Sequence, residues 1–380
     1  DAYTVAFSIG IGMMRSLSAI DIVCHVIDNY GDVGVCWRLA RALVSLGQQV
    51  TLWVDDLTRL QRLRPSVDTH RAEQALDGFT LRHWSAAAAP VPAADVVISA
   101  FGCRLPEATL RHMAAMTPAP AWINLEYLSA ERWVEQSHGL PSPHPKLPLV
   151  EYFYFPGFTG RTGGLLRERD LLSQRVSFET SARANFLAQL GVVMPTSDML
   201  VSLFCYPSER IESLLRVMQS GPPLLCLVPE GVTPLAPAPG ERITQGALTL
   251  QGIPFLAPDN YDRLLWSCDL NFVRGEDSAA RAQWAAQPML WQLYPQAEQA
   301  HLAKLEAFLA LYGAGLDPQS DRVWRRFSRW WNADPAGAAD WHGLIRALPL
   351  LKAHAREWQQ RLAEQRELAS GLIEFASEIG

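Results

Sequence analysis

The sequence predicts an α/β protein of two domains, each a mostly parallel sheet flanked by helices. Three observations carry that prediction. A chain of 380 residues suits two domains, each large enough for its own core. Short apolar segments alternate with segments of helical spacing, as in βαβ units. Proline- and glycine-rich stretches interrupt this pattern between about 140 and 166, and it restarts after residue 180.

In the first half, "DIVCHVID" (21–28) predicts a strand and 33–46 a helix, with Cys36, Leu39, Ala40 and Leu43 on one face at three- and four-residue spacing. Gly47 suits the residue after a helix end. Strands follow at 49–54, 95–101 and 121–128, with a helix at 106–116. "LPSPHPKLP" (140–148) predicts an ordered surface loop, and "YFPGFTGRTGGLL" (154–166) an irregular segment that lines a cleft.

In the second half, helices are expected at 181–191, 208–219, 261–268 and 277–286. Strands are expected at 198–206, 223–228, 246–256, 269–275 and 288–294. A long helix runs over 297–313. A C-terminal helix over about 353–376 places Trp358, Leu362, Leu368 or Ala369, Leu372 and Phe375 on one stripe. The first thirteen or so residues are apolar, with neither a basic n-region nor a convincing cleavage site. They are expected to be a vector-derived or upstream extension, with a start at Met13 or Met14.

Composition excludes several classes of function. The net charge is −6, from 33 Lys and Arg against 39 Asp and Glu, and no long basic block is present. The expected partner is therefore a small molecule or a protein, not nucleic acid. No apolar run reaches the length of a membrane span, so no membrane association is expected. The six cysteines are scattered without a CxxC pair, and the nine histidines include no HExxH. Buried free thiols in a reducing cytoplasm are expected, and no metal site.

Two stretches carry candidate chemistry. In "VIDNYGDVGVCWRLARAL" (26–43), Asp28 and Asp32 occupy the strand-to-helix turn where a phosphate loop would place glycine backbone. There is no GxGxxG and no DxD motif, which disfavours a dehydrogenase-type dinucleotide site. The structural reading makes Asp32 the cap of helix 33–46 and lets Asp28 hold the turn by bonding backbone N–H groups. The functional reading makes them a carboxylate pair that grips a cation or takes a proton.

In "NFVRGEDSAARAQW" (271–284), Gly275 ends a strand and Asp277 or Ser278 caps the next helix. That helix start suits a diphosphate, with the Ser278 hydroxyl as donor and Arg274 and Arg281 offsetting charge. Glu276 is either a solvated surface residue or an acceptor for sugar hydroxyls. Tyr206 and Phe255, at strand ends, are either core aromatics or stacking platforms for a base. Ligands in such sheets bind beyond the carboxyl ends of the strands, where Asp28 and Glu276 both fall.

Taken together, "DNYGDVGVCWRLARAL", "INLEYLSAERWV", "YFYFPGFTGRTGGLLRERDL", "LFCYPSERIESLL" and "NFVRGEDSAARAQWAAQPMLWQLYPQ" resemble the EarP family, bacterial protein-arginine rhamnosyltransferases that modify elongation factor P. The resemblance runs from about Asp21 to the C-terminal helix. It implies a GT-B fold: two Rossmann-like domains facing a cleft, with the C-terminal helix crossing back to the N-terminal domain. Residues 21–180 with about 358–380 would bind the acceptor, residues 181–357 the nucleotide sugar, and 1–20 would be the extension.

It further implies an inverting, metal-independent transfer of L-rhamnose. The donor is dTDP-β-L-rhamnose, the acceptor one arginine of elongation factor P, and there is no cofactor. The modification supports translation of polyproline stretches in the cytoplasm. The implied catalytic residues are Asp32, Asp28 and Glu276. The implied donor contacts are Tyr206, Phe255, Arg274, Asp277 and Ser278. Pro258 departs from the family pattern, standing where a base-contacting Gln is expected. Two alternatives stay open on sequence: a GT-B nucleotide-sugar transferase with another acceptor, and a non-catalytic partner-binding protein on the same fold.

Overall fold

A computed structural model describes residues 19–28, 30–85, 87–178, 180–193 and 199–380. The expected extension and its start at Met13 or Met14 lie outside the described residues. The first domain holds strands β1 (Ala19–Cys24), β2 (Gln49–Val54), β3 (Glu73–Leu76), β4 (Phe79–His83), β5 (Val96–Ala100), β6 (Ala121–Leu125), β7 (Pro141–Pro143) and β8 (Val150–Tyr154). They form one sheet in the order β3-β4-β2-β1-β5-β6-β8-β7, parallel except for the two edge strands. Its helices are α1 (Gly31–Ser45), α2 (Leu57–Leu63), α3 (Glu107–Ala115) and α4 (Arg132–Ser137).

Helices α5 (Leu171–Ser177) and α6 (Thr180–Gln189) lead to the second sheet. Its strands are β9 (Met199–Leu203), β10 (Leu224–Pro229), β11 (Arg242–Gln245), β12 (Leu248–Ile253), β13 (Leu270–Arg274) and β14 (Met289–Gln292). The order is β11-β12-β10-β9-β13-β14, with only β11 antiparallel. Around it lie α7 (Arg210–Gln219), α8 (Pro258–Ser267), α9 (Asp277–Ala285), α10 (Ala300–Tyr312), α11 (Pro318–Trp331) and α12 (Trp341–Ala363). Helix α13 (Leu368–Ile379) ends the chain. Among the described residues, no helix is long and apolar enough to cross a membrane.

Each sheet has a switch point, where the chain leaves one side of a central strand for the other. In the first sheet β1 lies between β2 and β5; in the second, β9 lies between β10 and β13. Crevices open at the carboxyl ends of such strands. Asp28 follows β1, Tyr206 follows β9 and Glu276 follows β13, so the topology delivers all three to the cleft.

Helix α1 buries the predicted face of Cys36, Leu39, Ala40 and Leu43 in the first core. The strand expected over 21–28 stops at Cys24, because side chains take the next N–H groups out of the ladder. Asp55 Oδ1 accepts from Val26 N–H at 2.9 Å, and Asp32 Oδ2 accepts from the N–H groups of Ile27 and Asp28 at 2.8 Å each. The expected loop at 140–148 contains the edge strand β7, whose Pro141 and Pro143 suit a strand that pairs on one side only.

The single helix expected over 353–376 is two helices. Trp358 and Leu362 end the core of the second domain, whereas Leu368, Ala369 and Leu372 belong to the core of the first. Between them the Glu367 carboxylate caps α13 by accepting from Ala369 and Ser370 N–H. The chain therefore crosses back at 364–367, not at 358, and α13 packs on α1 and β6.

Candidate active site

The turn after β1 is held by Asp32, not by Asp28. Asp32 is the second residue of α1, 2 % exposed, and one of its oxygens receives both the Ile27 and Asp28 N–H bonds. The N-cap is Tyr30, without a side-chain cap bond. The structural alternative raised for this turn, with Asp32 as the cap and Asp28 as acceptor of the backbone N–H groups, is not what forms. Burial pushes the Asp32 carboxyl above its usual range, the two N–H donors pull it back, and the Asp28 charge pushes it further up.

Asp28 instead faces the other domain. The Tyr206 hydroxyl donates to its Oδ2 at 2.5 Å. Two glycines make room for this pair. A Cβ on Gly31 would lie 2.6 Å from Asp28 Oδ2. One on Gly275 would lie 2.6 Å from the Tyr206 oxygen and 2.8 Å from Asp28 Oδ2. Gly275 also has φ +59°, a left-handed conformation that glycine adopts at little cost. Burial raises the Asp28 carboxyl, while the Tyr206 bond and the Arg274 charge lower it.

Arg274 ends β13 with its guanidinium 4.4 Å from the Phe204 ring centre and 4.8 Å from that of Tyr206, and it donates to the Cys205 carbonyl at 3.0 Å. Neither Asp277 nor Ser278 caps α9: the N-cap is Glu276, without a side-chain bond. Ser278 Oγ is bonded to both the N–H and the carbonyl of Arg274, closing the strand-to-helix turn. Asp277 pairs across the cleft with Arg38 of α1, Nε to Oδ1 3.1 Å.

Arg281 is not a phosphate ligand in this structure. It is 2 % exposed, with Nε and Nη2 on Asp262 at 2.8 and 2.7 Å and Nη1 on Glu168 at 2.6 Å. Arg38, 1 % exposed, reaches the same two carboxylates and the Pro258 carbonyl. These residues form a buried ionic cluster across the domain boundary. Glu276 is not a solvated surface residue either: Oε2 accepts from Leu128 N–H at 2.6 Å and Oε1 from Lys304 Nζ at 2.5 Å.

Two cavities meet at Asp28. The smaller has Phe255, Tyr30, Leu63, Pro258 and Tyr261 along its apolar walls and Arg274, Asp277 and Ser278 at the start of α9. Phe255 packs on Tyr30, ring centres 5.2 Å apart, with Arg62 over its ring. Pro258 opens α8 at a position proline favours. The larger cavity is lined by Asp28, Tyr127, Glu276, Tyr294, His301 and Lys304 among others. Asp32 lies behind the junction and lines neither cavity.

The smaller cavity suits a planar ring joined to an anionic group at a helix start. In the larger, Lys304 neutralises Glu276, and Asp28 is the carboxylate left to meet a cation. Seven of the eight predicted site residues thus line this cleft, and Asp32 lies buried behind it. Sequence reasoning missed Tyr30, Arg38, Tyr127 and Lys304. Tyr30, Arg38 and Tyr127 stood inside quoted motifs; the partners of Arg38 and Lys304 are distant in the chain, so neither gave a local signal of its role. Among the described residues, no group of three or more His, Cys, Asp or Glu side chains could hold a metal ion, and the six cysteines are free and buried.

A family model described as the elongation factor P (EF-P) rhamnosyltransferase EarP matches residues 20–377. A protein-arginine rhamnosyltransferase of Pseudomonas putida is 49% identical over 368 residues, spanning 93% of this chain and 97% of that protein. One of Pseudomonas aeruginosa is 46% identical over 372 residues, spanning 94% and 99%. A solved structure concerning EarP-mediated arginine glycosylation of translation elongation factor EF-P superposes with a TM-score of 0.66 at 36% identity, over 94% of this chain and 98% of that one. The calicheamicin glycosyltransferase CalG4 shares the fold, with a TM-score of 0.51 at 13% identity over 95% and 98% of the two chains.

Proposed function

The chain belongs to the EarP family of elongation factor P rhamnosyltransferases, and on that premise we propose that it moves L-rhamnose from dTDP-β-L-rhamnose to the guanidinium of one arginine of elongation factor P in the cytoplasm. One observation supports this reading above the others: Asp28 is the wall common to an aromatic, anion-suited cavity and to a larger one in which the other carboxylate, Glu276, is already paired with Lys304. A donor in the first and an arginine in the second would present the anomeric carbon and the nucleophile to the same carboxylate.

In this reading the thymine packs on Phe255, and the diphosphate takes the N–H groups that open α9, with Arg274 beside it. Arg274 lies over Phe204 and Tyr206 and lines the same cavity as the start of α9. Asp277 and Ser278 hold the start of α9 in place. Pro258 removes a side-chain contact to the base, so base recognition rests on Phe255 and backbone.

Arginine is a poor nucleophile because it is protonated and its lone pairs are delocalised; its pKa exceeds about 12. Asp28 orients the guanidinium and sets one nitrogen in line with the anomeric carbon. As the nitrogen–carbon bond forms, the bond from that carbon to the diphosphate oxygen breaks, its electron pair leaves with dTDP, and the centre inverts. The attacking nitrogen grows acidic only at this point, and Asp32 takes the proton as general base. Both N–H bonds to Asp32 fall on Oδ2; in this reading Oδ2 holds the turn and Oδ1 takes the proton, which passes from the cleft to the carboxylate behind Asp28. The α9 N-terminus and Arg274 stabilise the leaving diphosphate, and Glu276 positions the donor.

The test is intact mass spectrometry of elongation factor P incubated with this protein and dTDP-L-rhamnose. One deoxyhexose on one arginine is the expected product. No mass change with dTDP-rhamnose, but transfer from another nucleotide sugar or to another acceptor, would replace this reading with a different GT-B transferase.

A further inference from the structure

Lys304 belongs to none of the sequence motifs that carry the proposed reaction, yet it is the cation that meets Glu276. Its Nζ lies 2.5 Å from Glu276 Oε1, and both side chains are 16% exposed. The ammonium also sits 5.7 Å from the Tyr127 ring centre and 6.0 Å from that of Trp291. Both rings lie within cation–π range of the ammonium and add to the Glu276 contact in holding it. The other Glu276 oxygen accepts from Leu128 N–H of the first domain. A chain of contacts therefore runs from α10 through the residue after β13 to the segment after β6.

The consequence reaches Asp28. Glu276 follows Gly275, and the Gly275 backbone lies so near Asp28 that a Cβ there would be 2.8 Å from Oδ2. Any swing of the 275–276 turn changes what packs against that carboxylate. We propose that Lys304 is a positioning residue for the transfer reaction, holding the Glu276 carboxylate against Leu128 N–H and so fixing the Gly275–Glu276 turn beside Asp28. The inference rests on the proposed reaction at this same site.

The titratable groups near Glu276 and Lys304 come from several elements, including Glu126 after β6, whose carboxyl burial raises and the Lys304 charge lowers. His301 and Lys304 face the cavity from α10, Asp28 from the turn after β1, Tyr127 from after β6 and Tyr294 from after β14. Tyr206 approaches from after β9, its ring edge-on to Tyr294, and Asp32 acts from behind the junction. Arg274, two residues earlier, turns its guanidinium to the Phe204 and Tyr206 rings instead. Burial pushes the Glu276 carboxyl up and the nearby Asp32 charge adds to that; Lys304 gives the strongest opposing pull, followed by Leu128 N–H. Without Lys304 the carboxyl is left buried beside other acids, so it takes up a proton at higher pH and loosens from the turn.

The experiment compares Lys304→Met, Lys304→Gln and Lys304→Arg with the parent enzyme in transfer to elongation factor P across pH. In Met and Gln variants the acid limb should move up by about one pH unit or more, with kcat at neutral pH falling about tenfold or more, KM for dTDP-rhamnose little changed, and Arg restoring the parent profile. A second readout needs no turnover. Infrared difference spectra against Glu276→Gln should show an ionised Glu276 at pH 7 in the parent and a protonated one in Lys304→Met or Lys304→Gln. Parent profiles in both uncharged variants, with Glu276 still ionised, overturn the proposal. If one of them does not fold, the other decides. If the parent itself fails to modify elongation factor P, the proposed function falls, and the infrared titration still tests the Lys304–Glu276 link by itself.

Discussion

Asp28 and Tyr206, 178 residues apart in the chain, are hydrogen-bonded across the cleft, carboxylate to phenol. The bond joins the carboxyl ends of β1 and β9 and lies on the boundary between the two cavities. Tyr206→Phe keeps the ring under Arg274 and removes only the donor. Charge-assisted bonds of this kind contribute about 1.5–3 kcal/mol. The bond lowers the Asp28 carboxyl against its burial, so its loss moves that group up. The expected outcome is weaker dTDP binding by calorimetry and an acid limb of transfer shifted to higher pH.

Asp32 holds the turn with one oxygen, and that decides how to separate its two roles. Asparagine can present its single carbonyl oxygen to the Ile27 and Asp28 N–H groups. Asp32→Asn should therefore melt within about 1 kcal/mol of the parent, bind dTDP nearly as well, and transfer no rhamnose. Asp32→Ala leaves two part-buried N–H groups without their acceptor, at up to about 1–3 kcal/mol each. It should lose both stability and activity. Near-normal turnover in Asp32→Asn would remove Asp32 from the role of base and leave it the turn alone.

The fold was largely legible because buried strands and one-sided helices write their burial into the chain. The α1 face and the continuous apolar strands around both switch points came straight from spacing. What escaped had other causes. The β3–β4 hairpin turns at Asp77 and Gly78, both with positive φ, an Asp-Gly signal present in the sequence but not used. Helix α11 opens with Asp317 accepting from Gln319 and Ser320 N–H and Pro318 in its first turn, also readable and missed. Arg38 and Arg281 were not readable. Their partners Glu168, Asp262 and Asp277 come from separate elements, and only folding brings two arginines to three carboxylates.

Gly275 shows what the "RGEDS" motif requires of its glycine. Alanine there would meet the Tyr206 oxygen and Asp28 Oδ2, both under 3.0 Å, at φ +59°. Left-handed backbone alone costs a non-glycine residue about 1–2 kcal/mol, and the crowding displaces the Asp28–Tyr206 pair. Gly275→Ala should lower the melting temperature modestly and abolish transfer. A fully active Gly275→Ala would show that the pair does not need its present geometry.

The ionic cluster sets a pH dependence with two opposed parts. Arg281 and Arg38 overcome burial and hold the Glu168 carboxyl at about 2 instead of 4.5. Its contribution is present above about pH 4.5 and is lost as pH falls from there towards 2, up to roughly 3 kcal/mol. Asp28, Asp32, Glu276 and Asp277 are raised by burial, so they bind protons more tightly folded than unfolded. Their charged forms oppose folding, and that opposition fades as pH falls. Thermal melts should stay level or rise slightly from pH 7 to about 5 and drop below 4.5. Glu168→Gln should be less stable at pH 7 and should flatten that drop; an unchanged acid limb would assign it to other groups.

Arg274 and Arg281 sit seven residues apart, and sequence alone gave both to the phosphates. The structure separates them. Arg274 lines the smaller cavity over two aromatic rings, whereas Arg281 is sealed against Asp262 and Glu168. Arg274→Ala removes a cation at the cavity wall and should weaken dTDP binding about 10- to 100-fold, the effect of one charge-assisted bond, with little change in melting. Arg281→Ala leaves buried carboxylates short of a partner, which costs about 3–5 kcal/mol. It should unfold at markedly lower temperature while any folded fraction binds dTDP as the parent does. Calorimetry and melting curves on the two variants measure the contrast, and weaker binding by a fully stable Arg281→Ala would return that residue to the donor site.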